Sequence, residues 1–232
     1  MTTTPVRAHH LSDIATFRDP FDLVIMGLKG YDTRWGSQLI APVLAPDGVL
    51  VGMQNGITVD AMAEVVGIER TMGCVIEVAA NMFVPGVVRQ QAPLWFALGA
   101  PEGGPQDRAE EVAEVFAAAG TATVADDILS SKWMKLIANA CELVTSALLD
   151  LPLAEAIAVP GMFDFMLAAG EETARTAVAD GHRIVSVFGM TDVEGSTPEQ
   201  YARRLLDAVL DSYTLPDTLT TVLQDWRKGR RA

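Results

Sequence analysis

The sequence predicts an α/β protein in which a half built on a parallel sheet is followed by an all-helical half. Three observations carry this expectation. Short apolar runs alternate with amphipathic ones over the first third of the chain, no strand pattern follows Asp126, and helical periodicity fills residues 127–149, 160–180, 197–213 and 215–228. The 232 residues are 50% apolar, enough for one large domain or two small ones with a substantial core. The change of character places the boundary at 121–126, dividing residues 1–123 from residues 124–232.

Phe21 to Leu28 (FDLVIMGL) and Val49 to Met53 (VLVGM) read as buried strands. Trp35, Leu39, Ile40, Val43 and Leu44 recur between them at helical spacing, and Pro46-Asp47-Gly48 supplies a turn back into the sheet, so the segment reads as one βαβ crossover. After the Gln54-Asn55-Gly56 turn, Val59, Met62, Ala63 and Val66 mark a short helix ending at Gly67. From Thr71 to Ala100, runs rich in Val, Ile and Phe are broken at Pro85-Gly86 and Ala92-Pro93. That pattern predicts hairpin-connected strands closing the edge of the sheet, where the parallel pattern stops. A helix from about Asp107 to Ala119 follows, with Val112, Val115, Phe116 and Ala119 on one face and Gly120 at its stop.

Composition excludes several functions. With 17 Lys and Arg against 30 Asp and Glu, the net charge of −13 repels nucleic acid backbones and anionic membranes. Cys74 and Cys141 build no disulfide framework and have no metal-ligand spacing, which fits a reducing cytoplasm. His9 and His10 are adjacent and His182 stands alone, so no metal site is expected. Met1 to His10 lacks the pattern of a targeting signal, and the longest apolar stretch, Leu136 to Leu151, is broken by Asn139 and Glu142. There is no GxSxG, no nucleophile–His arrangement and no Gly-rich phosphate loop, because Gly27-Leu28-Lys29-Gly30 and Glu102-Gly103-Gly104-Pro105 lack the spacing.

Three places could hold chemistry. Lys29 and Asp32 directly follow the first strand, where open α/β sheets bind ligands; a solvated lysine with Asp32 or Thr33 capping the next helix is the plainer alternative. Gln54-Asn55-Gly56 ends the next strand on the same rim, and an amide there can donate and accept hydrogen bonds, although Asn-Gly is equally a common turn. In the helix after Asp126-Asp127, Trp133, Leu136, Ile137, Ala140, Val144 and Ala147 form an apolar seam. Lys135, Asn139, Glu142 and Ser146 share the other face, as a substrate grip or as a solvated stripe.

In this order the segments resemble the ketopantoate reductase family, 2-dehydropantoate 2-reductases that use NADPH to reduce a 2-keto acid. Asp22 to Thr33 (DLVIMGLKGYDT) is similar to the family's strand with a Lys-Ser-Tyr-Asp-Thr type ending, Gln54-Asn55-Gly56 to its QNG turn, and Pro85-Gly86 to its strand connection. Lys132 to Asn139 (KWMKLIAN) is similar to its W-x-K-L-x-x-N helix, and Thr220 to Arg231 (TTVLQDWRKGRR) to its late Gln-Asp and Gly-Arg segment. The resemblance implies an incomplete Rossmann-like domain followed by a helical domain of the 6-phosphogluconate dehydrogenase C-terminal type. It implies Lys135 as the general acid, Asn139, Thr221 and Asn55 as substrate-binding residues, and Lys29 and Asn55 on the NADPH side. A small 2-keto acid, the step from 2-dehydropantoate to pantoate in pantothenate biosynthesis, a homodimer and a cytoplasmic location belong to the same expectation.

Leu143 stands eight residues after Lys135, where the family has a second asparagine, and neighbouring Glu142 is expected to face away. The family pattern also places a strand, a GxGxxG turn and a helix ahead of these residues and a catalytic carboxylate after them. A chain of these residues alone is therefore expected to turn over poorly and to leave sheet edge and apolar surface for a partner to cover. A non-catalytic acid-binding or dimerisation paralogue, and a hydroxyacid or opine-type dehydrogenase acting on another acid, are the alternative readings.

Overall fold

The computed structural model describes residues 3–232; Met1 and Thr2, at the start of the stretch read for a targeting signal, lie outside the described residues. Strands β1 (Phe21–Met26), β2 (Leu44–Gly52) and β3 (Thr71–Glu77) run parallel, joined through helices α1 (Thr33–Ile40) and α2 (Val59–Val66). The expected βαβ crossover is thus present. Gly67 ends α2 at φ 90°, a conformation that only glycine adopts without strain. The hairpin β4 (Ala80–Val84) and β5 (Val87–Gln90) forms a sheet of its own, turning at Pro85-Gly86.

Strand β6 (Trp95–Gly99) returns antiparallel to β3, and helix α3 (Ala109–Ala117) carries the chain to β7 (Thr121–Val124), parallel to β6. The sheet order is β1-β2-β3-β6-β7. Here the structure corrects the expectation twice: the hairpin does not close the sheet's edge, and parallel pairing resumes after it. The four residues of β7 alternate exposed and half-buried positions, too short and polar a run to read as a strand without its neighbour. Pro46-Asp47-Gly48 also does not precede a strand. It lies inside β2 as an irregularity where the register jumps from Phe21↔Leu44 to Leu23↔Val49, and Gly48 allows it because a Cβ there would sit 2.7 Å from the Phe21 carbonyl oxygen. Val115 and Ala119, placed on the buried face of α3 by their spacing, are exposed, since the helix turns its Val112 and Phe116 side inward and stops at Ala117.

The second half is helical: α4 (Ile128–Leu149), α5 (Leu153–Ile157), α6 (Met162–Ala179), α7 (Pro198–Tyr213) and α8 (Thr221–Arg227). α5 was not anticipated, and the stretch expected as helix from 215 is helical only from Thr221. Asp127 caps α4 by accepting from the Ser130 amide at 2.9 Å, and Asp150 ends it in the left-handed region. α7 opens with Pro198 and a reciprocal Thr197–Gln200 capping box. Val49, Val51, Met72, Leu98 and Phe116 pack in the sheet lobe, and Met134, Ile137, Ala174, Tyr201 and Leu205 in the helical lobe. Among the described residues no helix is long and apolar enough to cross a membrane.

α4 joins the lobes, and it reverses part of the sequence reading. Its polar stripe is buried as well: Lys135, Asn139, Glu142 and Ser146 are at most 8% exposed, while of the apolar seam Ile137 and Ala147 are buried, Trp133, Leu136 and Ala140 are half-buried, and Val144 is 49% exposed. A helix packed on the sheet along one side and on α6 and α7 along another has little free circumference, so periodicity alone cannot tell which polar residues remain wet.

Candidate active site

Parallel strands aim their carboxyl ends at one rim, and here β1, β2 and β3 deliver Lys29, Gln54-Asn55 and Glu77 to it. Gln54 knits this rim together: its side-chain amide donates to the carbonyls of Leu28 (3.0 Å) and Lys29 (3.3 Å) and to the Thr33 hydroxyl (2.9 Å). Its Oε1 stays buried without a partner among the described residues. The amino-terminal half of α4 crosses the rim, and the Lys132 ammonium donates to the carbonyls of Gln54 (2.8 Å) and Cys74 (3.3 Å). Burial pushes the Lys132 pKa down to about 8.

A cleft of about 80 Å³ opens beside α4 where the two lobes meet. Asn55, Lys135, Asn139 and Thr221 all line it. Four residues singled out from the sequence, from three separate segments (the turn after β2, α4 and the start of α8), therefore converge on one space. The fifth does not: Lys29 lies outside the cleft lining, and its ammonium is paired with Asp225 of α8. Thr221 sits exposed at the start of α8, while its neighbour Thr220 is buried and donates to the Leu143 carbonyl at 3.2 Å. The expectation that Glu142 faces away is corrected, because Glu142 and Leu143 both line the cleft. Positions 135, 139 and 142 fall on one face of an α-helix, and 143 lies within a third of a turn of it.

Lys135 is the centre of the arrangement. Its Nζ donates to Glu77 Oε2 at 2.5 Å and lies 4.9 Å from the centroid of the Phe188 ring. Phe188 holds that place with φ 57°, a left-handed conformation that is strained for a bulky residue, and stacks edge-on against Trp95. An ammonium has three protons, so the two not given to Glu77 are free for a ligand oxygen in the cleft. Burial pushes the Glu142 carboxyl up to about 7, Lys135 opposing and Glu77 adding to the rise.

Sequence reasoning missed Glu77, Lys132, Phe188 and Asp225. Glu77 was detectable, since it ends the third parallel strand on the rim already marked by Lys29 and Asn55. Phe188 lies in an irregular segment between α6 and α7 and carries no pattern that points to the cleft.

Comparison with known proteins gives the class first. The sequence pattern described as "Ketopantoate reductase PanE/ApbA" matches residues 2–103, and "Ketopantoate reductase PanE/ApbA C terminal" matches residues 127–232. The chain belongs to the ketopantoate reductase family. It is 29% identical over 231 residues to a 2-dehydropantoate 2-reductase of Mesorhizobium japonicum, with 90% of this chain and 66% of that protein covered, so it spans just under two thirds of that curated relative. The crystal structure of a 2-dehydropantoate 2-reductase from Geobacter metallireducens superposes with a TM-score of 0.78 at 25% identity, over 92% of this chain and 67% of that one. The ternary structure of D-mandelate dehydrogenase with NADH and anilino(oxo)acetate shares the fold, with a TM-score of 0.79 at 18% identity over 94% and 68% of the two chains.

Proposed function

We propose that the protein takes part in the NADPH-dependent reduction of a 2-keto acid, 2-dehydropantoate to pantoate, with the chemistry in the cleft beside α4. The observation that carries this is the convergence of Lys135, Asn139, Asn55 and Thr221 on one space, with the Lys135 ammonium held at its wall by Glu77. When bound, NADPH supplies a hydride to the carbonyl carbon. Asn55, an exposed amide at the carboxyl end of β2 that lines the same cleft, fits the carboxamide of the nicotinamide end. Lys29, 43% exposed on the same rim, is assigned to the cofactor side while its ammonium ties down Asp225.

As the carbonyl carbon gains two electrons, negative charge grows on the keto oxygen. Lys135 lies where it can stabilise that charge and then transfer a proton to the oxygen, becoming a neutral amine that water reprotonates. Glu77 orients the ammonium, and Phe188 keeps water from one side of it. Asn139, buried with an amide that makes no side-chain hydrogen bond among the described residues, and the Thr221 hydroxyl orient the acid. The buried thiols of Cys74 and Cys141 are consistent with a reducing cytoplasm. The homodimer of the family resemblance is carried as part of the same proposal.

A second reading, a hydroxyacid dehydrogenase acting on another acid, is favoured by one observation: Leu143 presents an apolar side chain to the cleft. Calorimetric titration of the protein with 2-dehydropantoate, NADPH and NADH tests the assignment. Binding of the acid that falls at least tenfold in Lys135→Met and Asn139→Ala is expected; affinity untouched by either substitution would refute it.

A further inference from the structure

Most polar groups in the cleft are matched within the protein. Glu77 pairs with Lys135, Thr220 donates to Leu143, and Gln224 donates to the carbonyls of Leu219 (2.9 Å) and Ala80 (3.3 Å). Glu142 is the exception of most consequence. It is only 8% exposed, it lines the cleft, and its carboxylate meets no hydrogen-bond donor and no paired cation among the described residues. The same cleft wall carries the apolar side chains of Leu143, Leu153, Val209 and Leu219. A carboxylate desolvated in such a wall is unfavourable unless something in the cleft donates to it.

We propose that Glu142 is a specificity-determining residue that selects, among 2-keto acids, those whose tail carries a hydrogen-bond donor, a hydroxyl or a cation. The proposal rests on the reading of the cleft as a 2-keto acid site. Its geometry follows from α4. Glu142 lies seven residues beyond Lys135 on the same face of the helix, about 10 Å further along its axis. A keto group held at Lys135 therefore directs the acid's tail along α4, past Asn139 and toward Glu142. Charge points the same way: Glu77 holds the close ion pair with Lys135, so Glu142 feels that ammonium only at longer range and has no ion pair of its own among the described residues. An acid with a plain alkyl tail would leave it so, whereas a donor on the tail replaces the hydration it has lost.

The test is a calorimetric titration of the protein at pH 8, where Glu142 is ionised, with three probes built on a five-carbon chain: 2-oxopentanoate, 5-hydroxy-2-oxopentanoate and 5-guanidino-2-oxopentanoate. The donor-bearing probes should bind about tenfold more tightly than 2-oxopentanoate, the strength of a hydrogen bond to a charged acceptor. Whichever of the two leads identifies the donor as hydroxyl or cation. Glu142→Met should abolish the preference, bringing the three probes to within about twofold of one another. Glu142→Gln, nearly isosteric and uncharged, should keep a preference for the hydroxyl and lose that for the guanidinium, which keeps the test open if the Met variant misfolds. Equal binding of all three probes, or a preference that survives both substitutions, overturns the role of Glu142 and leaves the cleft assignment standing. If the wild-type protein binds none of the probes, the 2-keto acid reading falls, and this proposal with it.

Discussion

Replacing Glu142 by Gln should change how the protein's stability depends on pH. The Glu142 carboxyl is buried beside the cleft, and that burial raises its pKa from 4.5 to about 7. The titratable groups around it are Lys135 and Cys141 on α4, Glu77 on β3 and Tyr213 at the end of α7; from α8 the cleft receives only the uncharged Thr221 and Gln224. Between pH 4.5 and about 7 the unfolded chain has released a proton that the native protein still holds, so stability falls as pH rises. The contribution is complete below pH 4.5 and lost once pH has passed about 7. At 1.36 kcal/mol per pH unit the interval amounts to about 3 kcal/mol.

The assay is urea denaturation of the wild type and the Gln variant at pH 5 and pH 8. Comparing the two proteins at each pH cancels the titrating groups that do not interact with Glu142. The wild type should lose about 2–3 kcal/mol relative to the variant between the two conditions, a difference of roughly 5–10 °C in melting temperature for a chain of this size. Parallel pH profiles for the two proteins would mean that Glu142 is solvated in the native state, and the account of an unmatched carboxyl in the cleft wall would be wrong.

Lys132 predicts the opposite slope at the alkaline end. Its pKa is lowered by burial to about 8, so the native protein gives up a proton there that the unfolded chain keeps until about 10.5, and stability should rise with pH across that interval. Lys132→Met should lack this rise in denaturation curves taken at pH 7.5 and 10; an unchanged slope would assign it to other groups. Gly170→Ala should destabilise by about 1–3 kcal/mol because the new methyl group would lie 2.4 Å from Cys141 Sγ, and most of the loss should return in the Gly170→Ala, Cys141→Ala double variant. A neutral single substitution would show that α4 and α6 separate easily there. Lys29→Ala breaks the pair with Asp225, which is 7% exposed; with Lys29 itself 43% exposed, the stability loss should be only about 1 kcal/mol. Limited proteolysis around α8 should nevertheless accelerate, and unchanged cleavage rates would remove the pair as a tie between the lobes.

The elements read most clearly were those whose signal is local. The β1-α1-β2 crossover, α2 with its Gly67 stop, and α4 between Asp127 and Asp150 follow from periodicity and from capping chemistry that acts over three or four residues. β7 was not legible, since four residues of mixed polarity become a strand only beside β6. The bulge inside β2 was read as a turn because Pro46-Asp47-Gly48 has turn chemistry, and its strand character comes from pairing with β1.

The site divides in the same way. The residue types and their order along the chain, Lys29, Asn55, Lys135, Asn139 and Thr221, were set by sequence alone, as was the helical face shared by Lys135, Asn139 and Glu142. Tertiary structure decided that this face is buried rather than wet, that Glu77 meets Lys135 from 58 residues away, that Phe188 covers the ammonium, and that Lys29 reaches across to Asp225. The physical reason is one of range. Hydrogen bonding within a turn or a helix is set by near neighbours, whereas burial and ion pairing depend on which surfaces meet when the two halves of the chain pack together.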